Sequence, residues 1–314
     1  MKNLALENRI VTTRKKSLAF HLKRDWALYV LLLPILLLTL IFCYLPMPGL
    51  IISFMDYDVF LQFSSPWVGL DNIKTIIETP MFGRAILNTL LMSALNLLII
   101  FPAPILFAIL LNELKNVHFK KLVQTVSYLP NFLSWVAVIG IAMSFYSIYG
   151  PLNDFLVKLG GEGTERIYFL TKQGFFVPNV LILNLWKTFG WDSIIFLAAI
   201  TGLDMQLFEA ARIDGAGRFR QIIHITIPGI MPTAVILLIL KMGSFFNDNF
   251  ELIYGLQNPY IDFEVISTLV YKNGIVEGNY SLATAFGFMQ GLISFLLMII
   301  ANKFAGKVSG ISVW

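Results

Sequence analysis

Six stretches of this chain stay apolar for about 20 residues or more, and that length most narrows its fold. They fall at residues 26–52, 86–111, 122–149, 180–201, 229–250 and 281–301. An α-helix rises about 1.5 Å per residue, so each run is long enough to cross a hydrocarbon core of about 30 Å. Only 13% of the 314 residues are charged and 57% are hydrophobic, against about 25% charged in a soluble domain. The expected fold class is all-α: a polytopic membrane protein with six transmembrane helices. The first run is too long for a signal-peptide core and lacks a clear small-residue cleavage site, so it reads as a retained anchor. No tandem repeat or low-complexity linker divides the chain. Residues 1–25 read as a cytoplasmic flank and 26–314 as one transmembrane domain.

Lys and Arg favour the cytoplasmic side of membrane proteins. With the N-terminus inside, cytoplasmic segments hold fifteen of them, seven in residues 1–25 alone, and outer segments hold six. Six spans then give an N-in, C-in topology. The flank reads as a plain anchor or as an amphipathic surface helix. The outer segments 53–85, 150–179 and 251–280 are long and aromatic, suited to contacting a partner or to capping the bundle. A net charge of +4 is too small to argue for nucleic acid. The single cysteine, Cys43, cannot form an intrachain disulfide and reads as a packing residue.

Residues 201–232, TGLDMQLFEAARIDGAGRFRQIIHITIPGIMP, form the longest polar interruption that is helical on both sides of a turn. Asp204 is placed to cap a short helix from Met205 to Ile213, which Gly215 and Gly217 terminate. Phe219 to Ile225 starts another helix before Pro228 and Pro232, which are expected to reset the backbone. The first helix carries Leu207, Phe208 and Ile213 where a loop normally faces water, and Ala210 and Ala211 keep its profile low. That pattern suits docking.

The wording EAARIDGAG, followed by Ile227-Pro228, resembles the EAA loop of ABC-importer permease subunits, in its carbohydrate branch. One departure is Met205, where the family often has proline; Asp204 can still cap. FELIYGLQNP (250–259), VISTLVYKNGI (265–275), NYSLATAFGF (279–288) and the ending ANKFAGKVSGISVW are similar to the LplB-type permeases and to alginate- and pectin-oligosaccharide importers. The resemblance implies a type I ABC importer permease fold in a bacterial cytoplasmic membrane, with 202–228 as the coupling loop. It implies that Glu209, Ala210, Ala211, Asp214, Gly215 and Ala216 form an ATPase-coupling element. It also implies a paralogous permease, two ATP-hydrolysing subunits that carry ATP and Mg, and an extracytoplasmic solute-binding protein that delivers an oligosaccharide.

The chain carries no GxxxxGK[ST] cradle, so ATP hydrolysis is expected elsewhere and no cofactor is expected here. His21, His118 and His224 are far apart, which leaves no metal-ligand spacing and no catalytic residue to name. A sugar pathway needs amides or carboxylates for hydroxyls beside aromatic faces. Asn247, Asp248 and Asn249 after Phe245 fit that need, with Asn184 and Trp191 in the fourth run. The alternative for each is interhelical hydrogen bonding at about 0.6 kcal/mol per contact. Lys187 and Asp192, about 140° apart on a helix, are not expected to pair; Lys187 is expected to snorkel or to pair elsewhere. Three rivals stay open: an ion-coupled secondary transporter, expected to show inverted repeats or broken helices around a midplane charge, a membrane-anchored scaffold or sensor, and an ABC permease for a non-sugar solute such as glycerol phosphate or a peptide.

Overall fold

The computed structural model describes residues 24–161, 163–246 and 249–309. The basic flank therefore lies almost wholly outside the described residues. Among them the chain is helical, with one isolated antiparallel bridge, Met55 to Trp67. Twelve helical segments matter here: α1 (Trp26–Phe54), α2 (Asp71–Glu78), α3 (Pro80–Glu113), α4 (Val117–Phe132) and α5 (Trp135–Phe145). There follow α6 (Pro151–Gly160), α7 (Gln173–Thr201), α8 (Met205–Ile213) and α9 (Arg218–Gly243). The last three are α10 (Phe250–Leu256), α11 (Ile266–Tyr271) and α12 (Tyr280–Ser309). By length and composition α1, α3, α7, α9 and α12 are five candidate membrane spans, and α4 with α5 makes a sixth if that bent pair is counted as one. The chain divides into two compact units, 1–51 and 52–314. In the first, Cys43 is exposed on the helix surface rather than packed.

Of four π-type turns among the described residues, three precede a proline. The turns Leu40–Tyr44, Asn96–Ile100 and Ile222–Thr226 each begin six residues before a proline, Pro46, Pro102 and Pro228. A helical proline offers no N–H and its ring crowds the carbonyl four residues back. That carbonyl belongs to Phe42, Leu98 or His224, the middle residue of each wide turn. Longer i→i+5 bonds keep the backbone paired around it, as in Phe101 N–H to Asn96 O at 2.9 Å. So Pro228 and Pro232 do not reset the chain. α9 runs through both for 26 residues.

The third apolar run is not a straight span. α4 and α5 are bent against each other by 104°. Pro130 stands near the end of α4, and Leu133 and Ser134 are extended (ψ 141° and 154°). Ser134 Oγ then accepts the Ala137 N–H at 3.2 Å and caps α5. Non-helical backbone at membrane depth is tolerated only where protein satisfies its polar groups. Lys187 of α7 does this: its Nζ donates to Asn131 O at 2.9 Å and lies 4.9 Å from the centre of the Trp135 ring. Only 7% exposed, Lys187 neither snorkels nor seeks another subunit. The freed carbonyl of the bend is its partner.

Gly190, one turn further along α7, lets α4 approach closely. A Cβ there would run into the Ser127 carbonyl. Small residues at such crossings are what allow membrane helices to pack. Gly190→Ala is expected to push α4 and α7 apart at a cost of about 1–3 kcal/mol. A fall in the thermal stability of the purified chain, without loss of membrane insertion, checks this.

The second half of α3, residues 96–113, packs against α7, burying Ala108, Ile109, Phe196 and Ile200 with Ile230 of α9. The outer segments contribute to the core as well as covering it. Ile261, Phe263 and Val265 pack with Phe176, Val180 and Leu183 of α7. Gln173 exchanges two 2.9 Å hydrogen bonds with the Asp262 backbone, and Asn258 Nδ2 donates to Leu170 O at 2.9 Å. Capping of the bundle is thus one role these segments fill.

Candidate functional site

Every turn of the polar loop is fixed by its own residues. Asp204 Oδ1 accepts the Gln206 N–H at 2.9 Å and starts α8. At the other end Gly215 adopts φ +76°, a left-handed conformation that glycine takes at no steric cost. Its N–H donates to Arg212 O at 3.1 Å, and the Ala216 N–H reaches back to Ala211 O at 2.8 Å. That pair of bonds is a Schellman cap. Gly217 opens α9, and Gln221 Nε2 returns to Ala216 O at 2.8 Å. Arg218 lies 3.4 Å from Glu113 at the end of α3, tying the loop to a second span.

What this rigid corner presents outward is unusual for a polar loop. Ile213 is 87% exposed, and Leu207 and Met205 are exposed beside it. Glu209, Ala210, Asp214 and Gly215 are exposed, while Ala211 and Ala216 are half-buried. Among the described residues Glu209 makes no ion pair or side-chain hydrogen bond, so its charge is available to an outside group. Behind α8 lies a cavity of about 780 Å³ with Glu113, Lys115, Met205, Phe208, Arg212 and Arg218 in its wall.

A second constellation sits halfway along α3 and α7. A polar cavity of about 260 Å³ is lined by Ser93, Asn96, Asn184, Thr188, Asp192, Lys241, Phe245 and Asn249, among others. Asn184 Nδ2 donates to Asn96 Oδ1 at 3.1 Å. α9 stops at Gly243 and α10 begins at Phe250, so the cavity opens at a break between helices. Carbonyls released by the break are taken up: Phe245 O by the Ser93 hydroxyl, and Phe246 O by Gln290 Nε2 at 2.9 Å. Asn249 Oδ1 accepts the Leu252 N–H at 3.3 Å and caps α10.

Of the residues expected to form a pathway, Asn184, Phe245 and Asn249 thus meet at one cavity. Asn247 and Asp248 lie outside the described residues. Trp191 is not in the cavity wall; it stands edge-on to Phe132 at 5.4 Å, on the bend between α4 and α5. Ser93, Asn96 and Thr188 were not anticipated. Asn96 had a signal, being the first residue of the wide turn that Pro102 imposes. A broken helix beside charged groups, the mark expected of an ion-coupled transporter, is also present, so this feature does not separate the two classes.

Comparison with known proteins does. Residues 81–310 match the family described as binding-protein-dependent transport system inner membrane component. The chain is 43% identical to Protein LplB of Bacillus subtilis (strain 168), with 91% of this chain and 90% of that one covered. It is 42% identical to the polygalacturonan/rhamnogalacturonan transport system permease protein YteP of the same organism, covering 94% and 92%. It also superimposes on a chain from the crystal structure of a bacterial ABC transporter involved in the import of the acidic polysaccharide alginate. There the TM-score is 0.84 at 39% identity, over 94% of this chain and 100% of that one. With the family model covering most of its length, with relatives matched nearly end to end and with a shared type I fold, the chain belongs to the binding-protein-dependent transport system inner membrane components: it is a multi-pass permease subunit of an ABC importer.

Proposed function

We propose that the chain forms half of the translocation pathway of an oligosaccharide importer, beside a paralogous permease. ATP is hydrolysed on two separate subunits, and α8 transmits their motion. Sugar arrives from an extracytoplasmic binding protein. In this reading Glu209, Ala210, Ala211, Asp214, Gly215 and Ala216 seat the corner on an ATPase subunit. Asn184, Phe245 and Asn249 line the path of the sugar, with Asn247 and Asp248 adjoining them, while Trp191 braces the bend. The observation that carries the reading is a near-complete structural match to a permease of an importer solved with an alginate pentasaccharide-bound periplasmic protein, at TM-score 0.85 and 38% identity.

A phosphorylated solute is the second reading. An sn-glycerol-3-phosphate permease of Pectobacterium atrosepticum is 28% identical over 288 residues. Both are tested by reconstituting the chain with its partner permease, ATPase subunits and binding protein. ATP hydrolysis is expected to rise several-fold with an oligosaccharide and not with glycerol phosphate. The reverse order replaces the proposed cargo.

A further inference from the structure

Two charged side chains in the wall of the polar chamber are used by neither the bend nor the coupling corner. Asp192 of α7 and Lys241 of α9 both line the polar cavity of about 260 Å³. Both also line a neighbouring cavity of about 290 Å³, whose wall is mainly Ile100, Phe101, Pro104, Ile195, Leu237 and Leu240. The two groups therefore stand on the partition between a polar chamber and an apolar one. Among the described residues neither forms an ion pair within 4.0 Å or a side-chain hydrogen bond. Lys187, by contrast, is fully committed to Asn131 and Trp135.

An ionisable group within a span costs roughly 2.5–3.5 kcal/mol on insertion scales and usually serves a pathway. Asp192 is half-buried and Lys241 exposed, and a structural pair would bring the two groups into direct contact. Here they share the walls of both cavities and are left without a bond to each other. A lysine in that position is a mobile point charge on a long stem, able to swing toward an anion in the chamber. Hydroxyls of a neutral sugar need only the amides of Asn96 and Asn184; a chamber that also holds an unbonded ammonium suits a cargo that carries carboxylates.

We propose that Lys241 is a specificity-determining residue that reads carboxylate groups on the transported oligosaccharide, with Asp192 as the counter-charge that holds it when the chamber is empty. This rests on the oligosaccharide reading above. Asp192 competes with the cargo for the ammonium, so the cargo's carboxylate is bound only while it displaces that weak attraction. A neutral chain of the same length would cross without the exchange.

The test compares two cargoes of equal length in the reconstituted assembly: a uronate oligosaccharide, and the same oligosaccharide with its carboxylates reduced to alcohols. The measured quantity is the ratio of uptake, acidic over reduced. Comparing that ratio between variant and native chains cancels any preference of the binding protein. Lys241→Met is expected to lower it at least tenfold, Lys241→Arg to restore most of it, and Asp192→Asn to leave it equal or raise it. Co-purification of all subunits verifies assembly, and Lys241→Arg with Asp192→Asn carries the test if Lys241→Met fails to assemble. An unchanged ratio in Lys241→Met, or a lowered ratio in Asp192→Asn, overturns the assignment and leaves the oligosaccharide reading standing. If the native assembly takes up neither saccharide, the oligosaccharide reading falls and this one with it.

Discussion

Gly215→Pro is expected to abolish uptake while the chain still inserts and assembles. Proline fixes φ near −65°, whereas this position needs +76°. The substitution also removes the N–H that donates to Arg212 O. Both bonds of the Schellman cap go, and α8 loses its fixed angle to α9. Because the corner is exposed and away from the buried clusters, the bundle is expected to survive. Glu209→Lys tests the same contact by charge alone. Among the described residues the Glu209 side chain has no hydrogen bond or ion pair, so reversing its charge leaves fold stability within about 0.5 kcal/mol. Cargo-stimulated ATP hydrolysis and uptake should nevertheless fall at least tenfold. Normal uptake in both variants removes the coupling role from this corner.

Lys187→Met is expected to damage the fold rather than the cycle. The substitution deletes a charged hydrogen bond to Asn131 O and a buried cation–π contact with Trp135. The bond is worth about 1.5–3 kcal/mol and the ring contact about 2 kcal/mol when shielded from water. Methionine fills the space but leaves the carbonyl of the bend unpaired in an apolar setting. Thermal unfolding of the purified chain should drop sharply, and a cysteine at Ser134 should become more reactive. Stability equal to the native chain's would mean that the bend is held by α4 and α5 alone.

These two sites differ in how far their residues announced them. The α8 corner is readable because its turns need particular residue types: a capping Asp204, a positive-φ Gly215 and a restarting Gly217. The bend between α4 and α5 is not, because a 104° turn leaves the hydropathy of the run unchanged. Only Pro130 and the capping Ser134 hinted at it. Lys187 stands out in an apolar run, yet its partner is a backbone carbonyl, which carries no mark in a sequence. The same limit applies to the chamber. Asn249 reads in the sequence as a polar group facing cargo, and the structure gives its side chain the local task of capping α10. Trp191 lies two turns from Asn184 on nearly the same face, but its ring turns to Phe132. Asn96 is one polar residue in an apolar run. Its importance becomes visible only when Pro102 is seen to widen the helix around it.

Position and contact of the α8 surface test the whole account most directly. In a Cys43→Ser background, Ile213→Cys provides a single thiol at an 87% exposed site. A membrane-impermeant thiol reagent is expected to label it in inside-out vesicles only, and bound ATPase subunits are expected to block the labelling. Labelling from the outer face, or labelling that those subunits leave unchanged, contradicts the account.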